Sequence, residues 1–202
     1  MKRTLLVLGG VVAITASALL SCNNAKEPSA NTEGLNDAPK TAAQPTESEL
    51  IARGHYLVNM MGCNDCHSPK IMTAQGPAID SAHLLSGHPA KLALPPIDQK
   101  AAKDWVLFHP NLTAFVGPWG VSFAANLTSD ASGIGNWTEE QFFRAIRQGK
   151  YKGLEGGRSL LPPMPWQQYR NASDDDLSAI FHYLKSTTPV ENVVPATIPP
   201  QH

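Results

Sequence analysis

Only three of the 202 residues are cysteine, at positions 22, 63 and 66, which excludes the dense disulfide framework that small exported domains use in place of a large core. Charge excess is lacking too: 16 Lys and Arg stand against 17 Asp and Glu, a formal net charge of −1. Such a chain has no basic stripe for a polyanion, so nucleic acid is not an expected partner. No apolar run reaches the length of about 18 residues that a membrane-spanning helix needs. Internal repeats are missing, and so is strand-like alternation across the Pro-, Gly-, Asn- and Ser-rich middle of the chain, where little strand is expected. What is present, 42% hydrophobic and 16% charged residues, suffices for one globular domain with its own core.

The N-terminus reads as an address. Lys2 and Arg3 precede an apolar stretch from Leu5 to Leu20, interrupted by Gly9 and Gly10 and ending in small residues, the pattern of an export signal over residues 1–21. The alternative is a retained N-terminal anchor helix, and either reading places the remainder outside the cytoplasm. Loss of Lys2 and Arg3 on cleavage leaves the rest mildly acidic. Residues 22–46, with a single large aliphatic side chain at Leu35, cannot bury enough apolar surface to order themselves. They read as a flexible tether of roughly 25–30 Å reach.

Three capping boxes mark helix starts. Thr46 to Glu49 opens a segment with Leu50, Ile51, Gly54, Leu57, Val58 and Met61 at helical spacing. Thr138 to Gln141 opens a second, with Phe142, Ala145 and Ile146 on one face and Gly149 as its stop. Ser173 to Asp176 opens a third, with Leu177, Ile180, Phe181 and Leu184 inward. A short helix is hinted at in the stretch DQKAAKDWVLF.

The run GCNDCH places Cys63, Cys66 and His67 in C-x-x-C-H order. Two thiols and an adjacent imidazole on a helix end are what covalent haem attachment requires: thioethers to the two vinyl groups and an axial ligand to iron, all within five residues. A structural zinc site would need a fourth ligand from elsewhere. A thioredoxin-like redox pair would sit in a βαβ setting that this sequence lacks, and a Cys63–Cys66 disulfide would leave His67 unexplained. For a sixth iron ligand the candidates are Met60, Met61, Met72 and Met164, with His88 and His109 the best rivals among the other histidines, His55, His83, His182 and His202. Met164 stands out because Pro162, Pro163 and Pro165 stiffen the loop that would present it, whereas Met60 and Met61 on the attachment helix suit the core.

These motifs together resemble the class I c-type cytochromes, all-α electron carriers with one His/Met-ligated haem c, over residues 47 to about 195. The likeness is nearest to the single-haem modules of bacterial membrane-associated cytochromes. It runs through GCNDCHSPK, NLTSD, GIGNWTEEQF, LLPPMPW and DDDLSAIFHYLKSTTPV. The ending LLSC resembles a lipobox, making Cys22 the acylated anchor after cleavage, and two acyl chains hold a protein stably on a bilayer.

The resemblance implies an all-α cytochrome c-like fold of three to five helices over residues 47–190, with an irregular insertion at about 70–125 and a tail at 191–202. Cys63 and Cys66 would be the thioether cysteines, with His67 and Met164 as axial ligands. Gly54 would pack against Tyr183 or Phe181 where the first and last helices cross. A carbonyl of Gly76-Pro77, with Pro69 as competitor, would orient the His67 ring. Asn126, Trp137, Arg158, Pro163 and Trp166 would line the haem pocket, the two tryptophans fitting a core role equally. The function implied is electron transfer, not catalysis, between a dehydrogenase or reductase and a terminal oxidase, on the outer side of a bacterial membrane. The rivals are a peroxidase-like or sulfur-compound-oxidising haem enzyme and a gas or redox sensor, both of which need a displaceable sixth ligand.

Overall fold

In the computed structural model, which describes residues 44–200, the first regular element begins where its capping box places it. The backbone N–H of Glu49 donates to the Thr46 hydroxyl and the Thr46 N–H donates to Glu49 Oε2 at 2.8 Å, closing both halves of the box at the start of α1 (Glu47–Met60). The expected signal segment and Cys22 lie outside the described residues. At the far end Ser173 Oγ accepts from Asp176 N at 3.1 Å and opens α6 (Asp174–Ser186), with Asp174 to Asp176 in the first turn and Lys185 in the last, as the helix dipole favours.

These two helices cross at Gly54. A methyl group there would lie 1.9 Å from the Ala179 carbonyl oxygen and 2.6 Å from Tyr183 Cβ, so backbone rests on backbone. Tyr183 therefore faces Gly54, and Phe181 turns into the core, its ring 5.6 Å from that of Phe142. An Arg53–Asp176 ion pair and a 2.8 Å contact of His182 Nδ1 with Glu47 Oε2 rim the crossing; such half-exposed contacts contribute little. Against α6 packs α4 (Glu139–Gln148), capped by Thr138 and stopped by Gly149 at φ 62°, where only the absence of a side chain permits the Trp166 ring to lie within 2.3 Å of a would-be Cβ. Val58, Phe142, Leu177, Ile180 and Leu184 from these helices join Leu85 and Ile134 in one buried cluster.

The middle of the chain departs from the expectation of an irregular insertion with little strand. It folds as two antiparallel sheets: a hairpin of β1 (Lys70–Thr73) and β2 (Gly76–Ile79), and a three-stranded sheet of β3 (Leu107–Phe108), β4 (Ala114–Gly117) and β5 (Gly120–Phe123). Both hairpins turn in two residues, Ala74-Gln75 and Pro118-Trp119, next to glycines at φ 110° and 92°. Strands of four residues or fewer are too short to display alternation, which is why the pattern hides them. The helix count also exceeds the expected three to five, because α2 (Cys63–His67), α3 (Gln99–Asp104) and α5 (Trp166–Tyr169) are each six residues or shorter. No helix among the described residues is long and apolar enough to cross a membrane.

The segment from Asn126 to Gly135 is a stack of turns. Asp130 Oδ1 accepts from Ser132 N at 2.8 Å and from Ser132 Oγ at 2.6 Å, and these bonds hold its carboxyl below the ordinary aspartate range. A carboxyl so depressed stabilises the folded state above its unfolded value and ceases to do so as pH falls through the folded one. Asp130→Asn is therefore expected to lower the urea midpoint slightly at neutral pH, and the gap from wild type should close as pH falls below about 4. A gap independent of pH would refute the assignment.

Candidate cofactor-binding site

Gly62, at φ 69°, turns the chain out of α1 and straight into α2, which carries the C-x-x-C-H motif. The residues between the cysteines fix that helix in place. Buried Asn64 donates to Asn59 Oδ1 at 2.9 Å and accepts from Ser68 Oγ at 3.0 Å; Ser68 Oγ in turn accepts from Leu85 N at 2.9 Å. Lys70 Nζ donates to the Asp65 carbonyl at 2.8 Å, satisfying an end carbonyl of α2.

His67 Nδ1 lies 2.8 Å from the Ala125 carbonyl oxygen. The carbonyl can only accept, so the proton sits on Nδ1 and Nε2 keeps its lone pair. Burial pushes the imidazole below its ordinary value, against the Ala125 hydrogen bond, which favours the charged ring, and nearby Lys70 adds to the lowering, so the neutral ring is favoured. The orienting carbonyl is thus Ala125's, in place of the Gly76-Pro77 carbonyl expected. Gly76 and Pro77 stand instead in β2, opposite Thr73 and Met72, and the Pro69 carbonyl accepts from Asp80 N.

Cys63 and Cys66 are free thiols, not joined to each other. Burial pushes Cys63 up to about 11, and Cys66 rises too, with Asp65 adding to the effect. A working C-x-x-C redox pair needs the opposite, a thiol lowered towards a thiolate. Nor does any group of three or more His, Cys, Asp or Glu side chains converge among the described residues to complete a zinc site. Two thiols beside a neutral imidazole that offers Nε2, with its other nitrogen anchored on a carbonyl, fit covalent haem.

Leu160, Pro163, Met164 and Trp166 line a separate cavity of about 290 Å³. Cys63, Cys66 and His67 are not among its lining residues. The two regions are linked by Tyr169 at the end of α5, whose hydroxyl donates to the Met61 carbonyl at 2.6 Å, two residues before Cys63. Burial, and then the charges of the Cys63, Cys66 and Asp65 side chains, push that phenol up to about 12. Among the other methionines, Met61 packs against the core while Met60 and Met72 are 66% and 77% exposed, so the core role expected of Met60 is not what the fold gives it.

The remaining expected pocket residues separate. Asn126 is buried, but its amide is fully engaged: Nδ2 donates to the Val190 carbonyl at 2.8 Å and to Ser132 Oγ, and Oδ1 accepts from Thr128 N and Oγ1. It ties the turn segment to the tail, and it acts on His67 only by fixing its neighbour Ala125. Arg158 is exposed and stacks on the Tyr151 ring at 3.9 Å. Trp137 packs against the core cluster. His88 is buried with its ring 4.8 Å from that of Phe123, its Nδ1 2.9 Å from Thr113 Oγ1 and its Nε2 without a partner among the described residues, while His109 Nδ1 accepts from Asn111 N. Ala125 and Tyr169 carry no motif, and nothing in the sequence marked them.

No protein-family profile matches the chain. It is 33% identical over 154 residues to the gluconate 2-dehydrogenase cytochrome c subunit of Pantoea cypripedii, covering 72% of this chain and 28% of that one. It is 29% identical over 164 residues to the fructose dehydrogenase cytochrome subunit of Gluconobacter japonicus, covering 77% and 26% respectively. An 80-residue stretch, 39% of the chain, is 40% identical to a nicotinate dehydrogenase subunit of Pseudomonas putida and spans 6% of that protein. The chain therefore spans about a quarter or less of the length of these curated relatives. With its C-x-x-C-H helix and carbonyl-anchored imidazole, the chain is similar to the cytochrome c subunits of dehydrogenases.

Proposed function

We propose that this chain is a lipid-tethered monohaem cytochrome c that carries single electrons from a dehydrogenase to an oxidase on the outer side of a bacterial membrane. The observation that carries the reading is the 2.8 Å contact of His67 Nδ1 with the Ala125 carbonyl, which leaves Nε2 free beside two unpaired thiols. Haem bound there supplies an iron that takes up and releases one electron. Cys63 and Cys66 would bind it covalently, His67 would hold the fifth coordination position, and Met164 the sixth. A thioether ligand in a buried site favours the ferrous form and raises the reduction potential, which suits a carrier between a reduced dehydrogenase and an oxidase. The names of the relatives, cytochrome subunits of fructose and gluconate dehydrogenases, support a dehydrogenase as the donor. Attachment through Cys22 rests on the LLSC sequence.

Spectra of the holoprotein test the sixth ligand. Wild type should show the near-infrared methionine-to-ferric-iron band and should bind carbon monoxide poorly when reduced. Met164→Ala should lose the band and bind carbon monoxide readily. A wild type without the band and open to carbon monoxide overturns the carrier reading in favour of a haem enzyme or sensor.

A further inference from the structure

The loop that presents Met164 has little to hold it. Pro162, Pro163 and Pro165 carry no N–H, and the Met164 N–H is used within the loop, donating to the Leu161 carbonyl at 3.3 Å. Among the described residues, one hydrogen bond links residues 161–164 to another part of the chain: Ser122 Oγ donates to the Pro162 carbonyl at 2.6 Å. Ser122 belongs to β5, forty positions earlier, and is buried. Its hydroxyl oxygen also accepts from Trp119 Nε1 at 3.2 Å, a bond that leaves the hydroxyl proton for the Pro162 carbonyl.

The strand behind Ser122 is fixed on both edges. Phe115 stands opposite Ser122 in β4. On the other side the tail pairs with β5, Val121 N donating to the Ile198 carbonyl at 2.8 Å and Ile198 N to the Val121 carbonyl at 3.0 Å. Gly120 admits that tail, since a side chain there would stand 2.0 Å from the Ile198 oxygen.

From this we infer that Ser122 is a positioning residue for the distal ligand: through the Pro162 carbonyl, the inserted sheet holds the loop in the conformation that keeps Met164 on the iron. The inference rests on Met164 as the sixth ligand. It gives the middle segment a task that the sequence left open, to limit how often the sixth position opens.

The test is the affinity of ferric holoprotein for added imidazole, which must displace the native ligand and therefore scales with the fraction of molecules in which the loop is released. Loss of one hydrogen bond to a carbonyl should raise that fraction about five- to tenfold. Ser122→Ala is expected to bind imidazole five- to tenfold more tightly than wild type while retaining the near-infrared band. Trp119→Phe, which leaves the Ser122 hydroxyl free to donate, should stay within about twofold of wild type. Adding Ser122→Ala to Met164→Ala should leave the affinity of the single Met164 variant unchanged, because no thioether remains to be displaced. If Met164→Ala abolishes the band but Ser122→Ala binds imidazole as wild type does, the inference is overturned and the ligand assignment stands. If Met164→Ala keeps the band, both fall together.

Discussion

Gly54→Ala is expected to destabilise the protein by about 3 kcal/mol or more, a drop in Tm of roughly 6–12 °C for a domain of this size. Overpacking is tolerated when the obstructing group is the end of a flexible side chain. Here the added methyl would sit 1.9 Å from a main-chain oxygen, Ala179's, and 2.6 Å from the root of Tyr183. Neither can swing aside, so α1 must move away from α6. That movement loosens Val58 against Leu177 and Ile180, contacts in a core whose side chains fill space at crystal-like density. The control is Gly156→Ala, where nothing lies within 4 Å and Tm should not shift measurably. A Gly54→Ala variant melting with wild type would show that the helices do not cross in backbone contact.

The parts of the fold that were legible in the sequence are those whose cause is local. Thr46, Thr138 and Ser173 each satisfy orphan N–H groups within three residues of themselves, so the pattern that stabilises the helix is also visible as a pattern. The apolar faces of α1, α4 and α6 follow the same logic, since a stripe with helical period has to be covered. The packing partner of Gly54 follows from the resemblance alone, which leaves Tyr183 and Phe181 both open; the crossing selects Tyr183.

The two sheets were missed for the opposite reason. The pairing partners of β4 and β5 are close in sequence, and GPWG between AFV and VSF is a tight-turn signal. In a stretch dense in proline and glycine that signal reads as loop, because three- and four-residue strands draw their stability from what covers them. Val121 pairs with Val116 in β4 on one edge, but its other edge is covered by Ile198, 77 positions away. The site divides in the same way. Cys63, Cys66 and His67 stand within five residues, whereas Ala125 meets His67 through a backbone carbonyl, which any residue could provide. Asn126 was singled out for the right neighbourhood and the wrong contact: its side chain serves Val190 and Thr128, and the backbone beside it serves the imidazole.

Cys63→Ala with Cys66→Ala should abolish covalent haem altogether. Protein made in a host with haem-attachment machinery and run on a denaturing gel should stain for haem peroxidase as wild type and not as the double variant, while either single variant retains one thioether and stains. Stability should change with it. A group that binds only the folded state and is held at about 1,000 times its dissociation constant stabilises by about 4 kcal/mol, and a short tether readily reaches such effective concentrations. The double variant is therefore expected to melt roughly 8–16 °C below the holoprotein. The loss is not that of two core methylenes, since Cys63 and Cys66 are only half-buried. Separate addition of haem should recover part of it, because His67 remains anchored on Ala125 and can still present Nε2. Wild-type protein from such a host that carries no haem on the gel would overturn the assignment of Cys63, Cys66 and His67 to haem.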